Sequence, residues 1–547
     1  MIQAEKIDGL CYLQMIESGT ANLKAHAEEV NELNVFPIPD GDTGENMLLT
    51  MVGGVPHVSD AIESIGDAAE QVSEGMLLSA RGNSGVILSQ FFDGVAHGLG
   101  GLSEADTEHL GIAFRYGVKH AYASVMTPTE GTILTVIREA TEYACNAETK
   151  TPSEFLRAFL AEAKKSLERT PELLPVLKKA GVVDSGAAGL IYIMEGMLSA
   201  LMGEKIVLDT SVEKKSDDLD IDAFGEDSEL TFGYCTELLL RLQNKKTDIP
   251  NFNCKVITDY LSTIGDSIVA VQNGSVVKIH VHTMSPQWVL DFCQKYGEFL
   301  KVKIENMSLQ HNNTIAEQKK ESPKKERKAY GVVAVASGEG LKQTFIDRGA
   351  DYIVDGGQSM NPSAEDFLAA FDEVNADTIF VLPNNGNIVL TAIQAARLYE
   401  DSDVRVIESK TIGAGYAALS MLDTTSGDTD VIEKELNEAT EGVITAEISH
   451  CIRNANIDGV EIHTDDYIGF AGKKLLATGQ SRTATVFETL ENIGFSKYDI
   501  CLLFVGKDAS MEEAERIEAY LTSKYRGKEI YLVNGEQEVY DYILVVQ

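Results

Sequence analysis

Positive charge is scarce in this chain: 46 Lys and Arg stand against 85 Asp and Glu in 547 residues, a formal net charge of −39. Nucleic-acid binding relies on a positive footprint that neutralises phosphates, so no nucleic-acid partner is expected. Adsorption to an anionic membrane surface is disfavoured for the same reason. Long hydrophobic runs are also missing. No apolar stretch reaches the roughly 18 residues that a membrane-spanning helix needs, so no membrane insertion is expected. The first residues, Met1-Ile2-Gln3-Ala4-Glu5-Lys6, lack a basic segment followed by an apolar one, so no signal peptide is expected. Cysteine is sparse: seven, an odd number, scattered along the chain. That does not make a disulfide framework and points to the reducing cytoplasm. What the chain does have is 44% hydrophobic residues, ample for packed cores, and a length that suggests roughly three or four domains.

The most informative stretch is Asn34-Val35-Phe36-Pro37-Ile38-Pro39-Asp40-Gly41-Asp42-Thr43-Gly44-Glu45-Asn46-Met47. Two prolines stiffen the approach to two carboxylates, Asp40 and Asp42, on either side of one glycine. A sharp turn there can aim both acids at one point, where they repel unless a cation neutralises them. Mg²⁺ takes one or two carboxylates together with substrate phosphates. The same residues also make an ordinary solvated Asp-Gly-Asp turn. Further on, Ser79-Ala80-Arg81-Gly82-Asn83-Ser84-Gly85 precedes a helical run, Val86 to Phe92, and Gly131-Thr132 precedes Ile133 to Ile137. Small residues at a helix start allow close backbone approach, and the free N–H groups there attract phosphate, although most such turns only cap helices. Neither loop is a P-loop, which needs Gly-x-x-x-x-Gly-Lys-Ser/Thr. From Ile7 to Met202 the pattern is a succession of amphipathic helices. Phe155, Phe159 and Ala163, each four residues from the next, mark one helix face.

Pro39 to Met47 resembles the metal loop of the dihydroxyacetone kinase L-subunit family. The longer Asn-Val-Phe-Pro-x-Pro-Asp-Gly-Asp-Thr-Gly form is similar to the branch that includes the bacterial fatty acid kinase A proteins. Three more segments agree in order: Ser79 to Gly85, Pro128-Thr129-Glu130-Gly131-Thr132-Ile133-Leu134, and Val183-Asp184-Ser185-Gly186-Ala187-Ala188-Gly189. The resemblance covers about the first 200 residues. It implies an all-α kinase domain built as an eight-helix barrel, with ATP and two Mg²⁺ at one end. Asp40 and Asp42 are then the metal ligands. Asn34 stands nearest the place of the family's upstream Asp and is a further candidate that brings no charge. Thr43, Gly44, Asn46, Gly82, Asn83, Ser84, Gly85, Gly131, Thr132, Asp184 and Gly186 line the nucleotide, and Arg81 is a candidate to stabilise charge, or else part of a surface ion pair.

Two charged segments break the chain: an acidic one at 206–228, after a helical domain at 1–205, and a mixed one at 312–328 read as a flexible tether. Between them, 229–311 shows a β-α-β-β-α-β order that suggests a ferredoxin-like α+β middle domain. Alternation places Cys235 on one face of the first strand and His280 and His282 on the corresponding face of the third. In that topology the two strands are neighbours. One thiol and two imidazoles suit a three-ligand Zn²⁺ site; exposed polar residues and a small filler would show the same pattern. The resemblance to fatty acid kinase A supports a metal here.

The remainder, 329–547, alternates strands with helices and reads as an α/β C-terminal domain with a parallel sheet. Ser337 to Gly340 and Pro383-Asn384-Asn385-Gly386-Asn387 fall after strands, where ligands commonly bind, or simply cap helices. A hairpin-rich stretch near Asp466 to Gly472 is followed by helix, strand, helix and strand to Val546. This part is similar to the C-terminal region of fatty acid kinase A and faintly to DegV-type lipid-binding folds.

Together the resemblance implies a multidomain, ATP-dependent kinase, expected to form a homodimer, that phosphorylates a fatty acid carried by a DegV-family binding protein. Two alternatives stay open: a kinase for a small hydroxylated substrate such as dihydroxyacetone, and a nucleotide-binding regulator without turnover.

Overall fold

The computed structural model describes residues 5–34, 41–55, 64–204, 234–306 and 327–547, apart from 244, 248, 250, 251, 274, 358, 359, 426, 452–454, 458 and 473. They fall into two compact units, one formed by 1–210 with 326–547 and the other by 211–325. The acidic segment at 206–228 lies outside the described residues. So does the tether, except that Arg327 and Lys328 belong to the α/β region, whose first strand starts at Lys328.

The N-terminal region is helical: α1 (Gly9–Leu33), α2 (Thr43–Gly54), α3 (Ile65–Ser79), α4 (Gly82–Leu99), α5 (Thr107–Ser124), α6 (Ile133–Asn146), α7 (Pro152–Leu173), α8 (Pro175–Ala180) and α9 (Ser185–Leu201). The side chains of Asp8, Ser64, Asp106, Thr151 and Asp184 accept backbone N–H groups of the first turns, satisfying donors that a helix start leaves open. Each long helix packs on the next, and α9 packs on both α7 and α1. Among the described residues, eight long helices thus close into an up-and-down ring, with α8 a short addition. Phe114 fills the interior, its ring edge-on to Phe91, Phe155 and Phe159 at 5.5, 5.3 and 5.4 Å. Phe155, Phe159 and Ala163 are all buried, as their spacing requires. The α4–α5 pair is tight enough that a Cβ on Gly94 would sit 2.4 Å from the Tyr116 carbonyl oxygen.

The middle unit contains β1 (Tyr234–Leu242), α10 (Lys255–Leu261), β2 (Gly265–Asn273), β3 (Val276–Thr283), α11 (Pro286–Cys293) and β4 (Gly297–Asn306). Its antiparallel sheet has the order β2-β3-β1-β4, so the first and third strands are neighbours, as the element order demanded. Leu238, Leu240, Leu242, Val277, Ile279 and Val281 are buried with Ile257, Leu261, Val289 and Cys293 of the helices.

The α/β region holds two sheets. β5 (Lys328–Ala336), β6 (Tyr352–Asp355), β7 (Ala376–Leu382) and β8 (Asp403–Val406) are parallel, in the order β6-β5-β7-β8. They alternate with α12 (Glu339–Asp347), α13 (Ala364–Val374) and α14 (Val389–Leu398), and α15 (Ile412–Ser420) and α16 (Thr429–Glu441) follow β8. The second sheet uses β9 (Ile444–His450), β12 (Tyr467–Ala471), β13 (Lys474–Gly479), β14 (Ile500–Val505), β15 (Glu529–Asn534) and β16 (Tyr542–Val546), in the order β13-β12-β9-β16-β14-β15. β10 (Ala455–Ile457) and β11 (Val460–Ile462) pair only with each other, and α17 (Arg482–Ile493) and α18 (Met511–Lys524) flank β14. The end of the chain differs from the sequence expectation: two strands, not one, follow α18. β16 runs antiparallel between β9 and β14, which a turn through residues 535–541 makes possible. Val332, Phe380 and Leu382 of the first sheet share a core with Leu502, Phe504, Ile543 and Val545 of the second.

The helical ring and the α/β region touch: α13 packs on α3, and α14 packs on α4. Among the described residues, no helix is long and apolar enough to cross a membrane.

Candidate functional site

Up-and-down alternation puts the N-termini of α2, α4, α6 and α9 at one end of the ring. Each begins in one of the four segments singled out above, and an aligned helix start carries partial positive charge. Hydrogen bonds join the segments in an arc. Asn46, buried in the first turn of α2, bonds through its side chain to the Asp42 carboxylate. Gly82, at φ +57°, lies against it: a Cβ there would be 2.8 Å from Asn46 Nδ2. Thr43 accepts from Asn34 Nδ2 at 3.1 Å and from the Ser185 hydroxyl at 3.3 Å, tying α1, α2 and α9 together. The Asp184 carboxylate accepts the amides of Ala187, at 2.9 Å, and Ile133, joining α9 to α6. Burial raises its pKa to about 6, against the pull of those two amides.

Gly41, at φ +37°, makes the sharp turn before Asp42. Asp40 lies outside the described residues. Burial pushes the Asp42 pKa up, opposed by hydrogen bonds from Asn46 and Asn361, while Glu45 adds to the rise. Asn34, which caps the end of α1, meets Thr43. Ser84 lies in the first turn of α4. Gly44 and Gly85 serve packing: a Cβ on the first would be 2.2 Å from the Ala27 carbonyl oxygen, and on the second 2.4 Å from Thr50 Oγ1. Gly131, at φ +84°, donates to Thr135 Oγ1 at 2.8 Å, and Thr132 donates to the Thr129 carbonyl at 2.7 Å. Gly186 has room to spare, the nearest atom standing 3.5 Å from where a Cβ would be.

The α/β region adds residues that the sequence did not single out. Asn361 Nδ2 donates to Asp42 Oδ2 at 2.6 Å. Arg81 Nη1 donates to the Asn361 carbonyl at 2.8 Å, and Arg81 Nη2 lies 4.0 Å from the Asp366 carboxylate. Arg81 also forms an antiparallel bridge with Ser363. Asn83 Nδ2 donates to Asn387 Oδ1 at 3.2 Å, so the loop after β7 contacts the ring. Gln394 of α14 donates to the Leu77 carbonyl at 2.6 Å and accepts from Gln90 at 3.2 Å. The side-chain oxygens of Asn361 and Asn83 are buried without a hydrogen-bond partner among the described residues. Asp42 keeps acceptor capacity beyond its two amides. This set of hard oxygen donors suits Mg²⁺ better than a softer metal.

In the middle unit, Cys235 is the register partner of His282, and Glu237 that of His280. The side chains of Cys235, His280 and His282 lie outside the described structure. Among the described residues, no group of three His, Cys, Asp or Glu is placed to hold a metal.

Three family models match in order: a DAK2 domain over 37–199, the middle domain of the FakA-like family of fatty acid kinases over 231–314, and the C-terminal domain of that family over 331–547. Protein YloV of Bacillus subtilis (strain 168) is 38% identical over 551 residues, covering 98% of this chain and 99% of YloV. A Staphylococcus aureus (strain MRSA252) protein, SAR1202, is 36% identical over 557 residues, covering 99% of this chain and all of its own. Among solved structures, a fatty-acid-binding DegV family protein from Thermus thermophilus and DegV, a fatty acid binding protein from Bacillus subtilis, are 12% and 14% identical. Each covers 40% of this chain and 99% of its own, at a TM-score of 0.31. With the three models in sequence and relatives that align from end to end, the chain belongs to the FakA-like family of fatty acid kinases.

Proposed function

We propose that the protein is the ATP-dependent component of a fatty acid kinase. It transfers the γ-phosphate of ATP to the carboxylate of a fatty acid presented by a DegV-family carrier, giving an acyl phosphate for phospholipid synthesis. The observation that carries this reading is the gathering of Asp42, Asn46, Gly82, Thr43 and Ser185 at the end of the ring where four helices begin. Family membership supports the acceptor.

The chemistry needs little covalent machinery. A carboxylate is already anionic near neutral pH, so no general base has to activate it. One of its oxygens bonds to the γ-phosphorus, the bond to the β-phosphate bridging oxygen breaks, and ADP leaves with that electron pair. Mg²⁺, when bound, neutralises phosphate charge. Asp42 and Asp40 would hold it, with two ions accommodated as in the family resemblance. The backbone of Gly82 to Gly85 and the starts of α6 and α9 would receive the phosphates. Arg81 would reach transferred charge only on leaving Asn361 and Asp366. The reading extends to a Zn²⁺ held by Cys235, His280 and His282 and to a homodimer.

Acyl-phosphate trapping tests the function. The protein, Mg-ATP, a fatty acid and a DegV-type carrier are incubated with hydroxylamine. Carrier-dependent acyl hydroxamate, lost in Asp42→Ala, is expected. Turnover of free dihydroxyacetone without a carrier would overturn the acceptor, and ATP binding with no acceptor-dependent ADP release would leave a regulator. Metal analysis of Cys235→Ala, His280→Ala and His282→Ala tests the zinc; unchanged content in all three would remove it.

A further inference from the structure

We propose that Asn361 is a positioning residue of the nucleotide site, supplied by the α/β region, so that the site is complete only when that region is docked on the helical ring. The inference rests on the reading of Asp42 as a metal ligand. Asn361 is about 4% exposed and stands on the loop that leads from β6 to α13. Its two polar ends reach both charged groups of the site. The side-chain amide donates to Asp42 at 2.6 Å, and the backbone carbonyl accepts from Arg81 at 2.8 Å. Pro362 follows it and restricts its backbone to extended conformations, and Ser363 bridges to the Arg81 backbone.

The second observation is Asn361 Oδ1, buried in the same place without a partner among the described residues. A buried amide oxygen without a partner is costly, and the cost is removed when a cation or its water shares the space beside Asp42. A carboxylate held from two sides by Asn46 and Asn361 is fixed in orientation before the cation arrives. Asn361 therefore works through Asp42, with its own oxygen on the same side chain that holds the carboxylate. Gln394 serves the same domain contact through Leu77 and Gln90, away from Asp42, and is the natural comparison.

The test is Mn²⁺ binding in the presence of ATP, followed by electron paramagnetic resonance on the full-length chain. Wild type, Asp42→Asn, Asn361→Leu, Asn361→Gln and Gln394→Ala are compared, with circular dichroism melts run on each. Asn361→Leu is expected to bind Mn²⁺-ATP about tenfold more weakly and to alter the bound Mn²⁺ spectrum. Asn361→Gln is expected to recover part of the loss, and Gln394→Ala to leave the spectrum unchanged. Wild-type affinity and spectrum in a folded Asn361→Leu would overturn the inference while the metal reading stands. Should that variant melt early, Asn361→Gln decides alone: an unchanged spectrum and affinity together with an equal loss in Gln394→Ala would overturn it. Equal binding by wild type and Asp42→Asn would overturn the metal reading and the inference with it.

Discussion

Asp184 and Ile133 are joined by a single hydrogen bond from the Ile133 backbone amide to the Asp184 carboxylate, which also caps its own helix at Ala187. One side chain thus holds the starts of α6 and α9 together. Asp184→Ala removes both acceptors, and loss of a helix cap alone costs about 1–2 kcal/mol. The urea midpoint of unfolding is expected to fall, with Asp184→Asn falling less because its amide oxygen still accepts. An Asp184→Ala midpoint equal to wild type would refute the linking role.

Gly82 and Gly186 should respond oppositely to one added methyl. Gly82 sits at φ +57° with Asn46 Nδ2 2.8 Å from the new Cβ. Gly186 has nothing closer than 3.5 Å and lies in the first turn of α9. Gly82→Ala is expected to lose about 1–3 kcal/mol from backbone strain and to weaken Mg-ATP binding. Gly186→Ala is expected to stay within about 1 kcal/mol of wild type, since alanine favours helix. Thermal melts and calorimetric titration with Mg-ATP check both.

Glu447, on β9, lines a recess between the two sheets with Ser337, Asn384 and Gln537. Burial raises its pKa from 4.5 to about 7. The folded state therefore favours the protonated acid. This contribution is fully present below about pH 4.5 and is lost as pH rises through about 7. Glu447→Gln keeps the neutral shape and escapes the penalty. It should match wild type near pH 5 and exceed it at pH 8 by about 1–2 kcal/mol, read from urea unfolding at the two values. A pH-independent difference would sink the assignment.

Arg482 anchors the second sheet through Glu513 at 2.6 Å and Asp541 at 2.8 Å. Asp541 has a side chain only 2% exposed. Removing the guanidinium strands a buried carboxylate, which costs about 3–5 kcal/mol. Arg482→Ala should unfold the α/β region at markedly lower denaturant, whereas breaking the surface pair Lys507–Glu538 should change little.

Much of the ring was legible because its signals are local. The Phe155, Phe159, Ala163 spacing reports one buried face, and each of the four loops stands beside the helix it starts. The arc they form was not written in any one of them. Thr43 and Ser185 meet only after α9 has closed on α1. Strand alternation likewise located the parallel sheet, while the antiparallel insertion of β16 depended on a turn that hydrophobic pattern does not encode. Asn361 was missed altogether. An Asn before a Pro reads as a loop, and its partner Asp42 lies 319 positions earlier. The Pro383 to Asn387 loop was noticed for its place after a strand, yet its partner proved to be Asn83 of the ring.

A nascent chain that has emerged to Glu204 already contains every helix of the ring, but Asn361 has still to be synthesised. At translation rates of about 5–20 residues per second, the gap is roughly ten to thirty seconds. During that interval a folded ring would carry Asp42 in water, with the acidity of an ordinary aspartate, and its nucleotide end would be open to the cell's ATP. Ribosomal timing thus gives this protein a transient form whose phosphate-facing end differs from that of the finished chain.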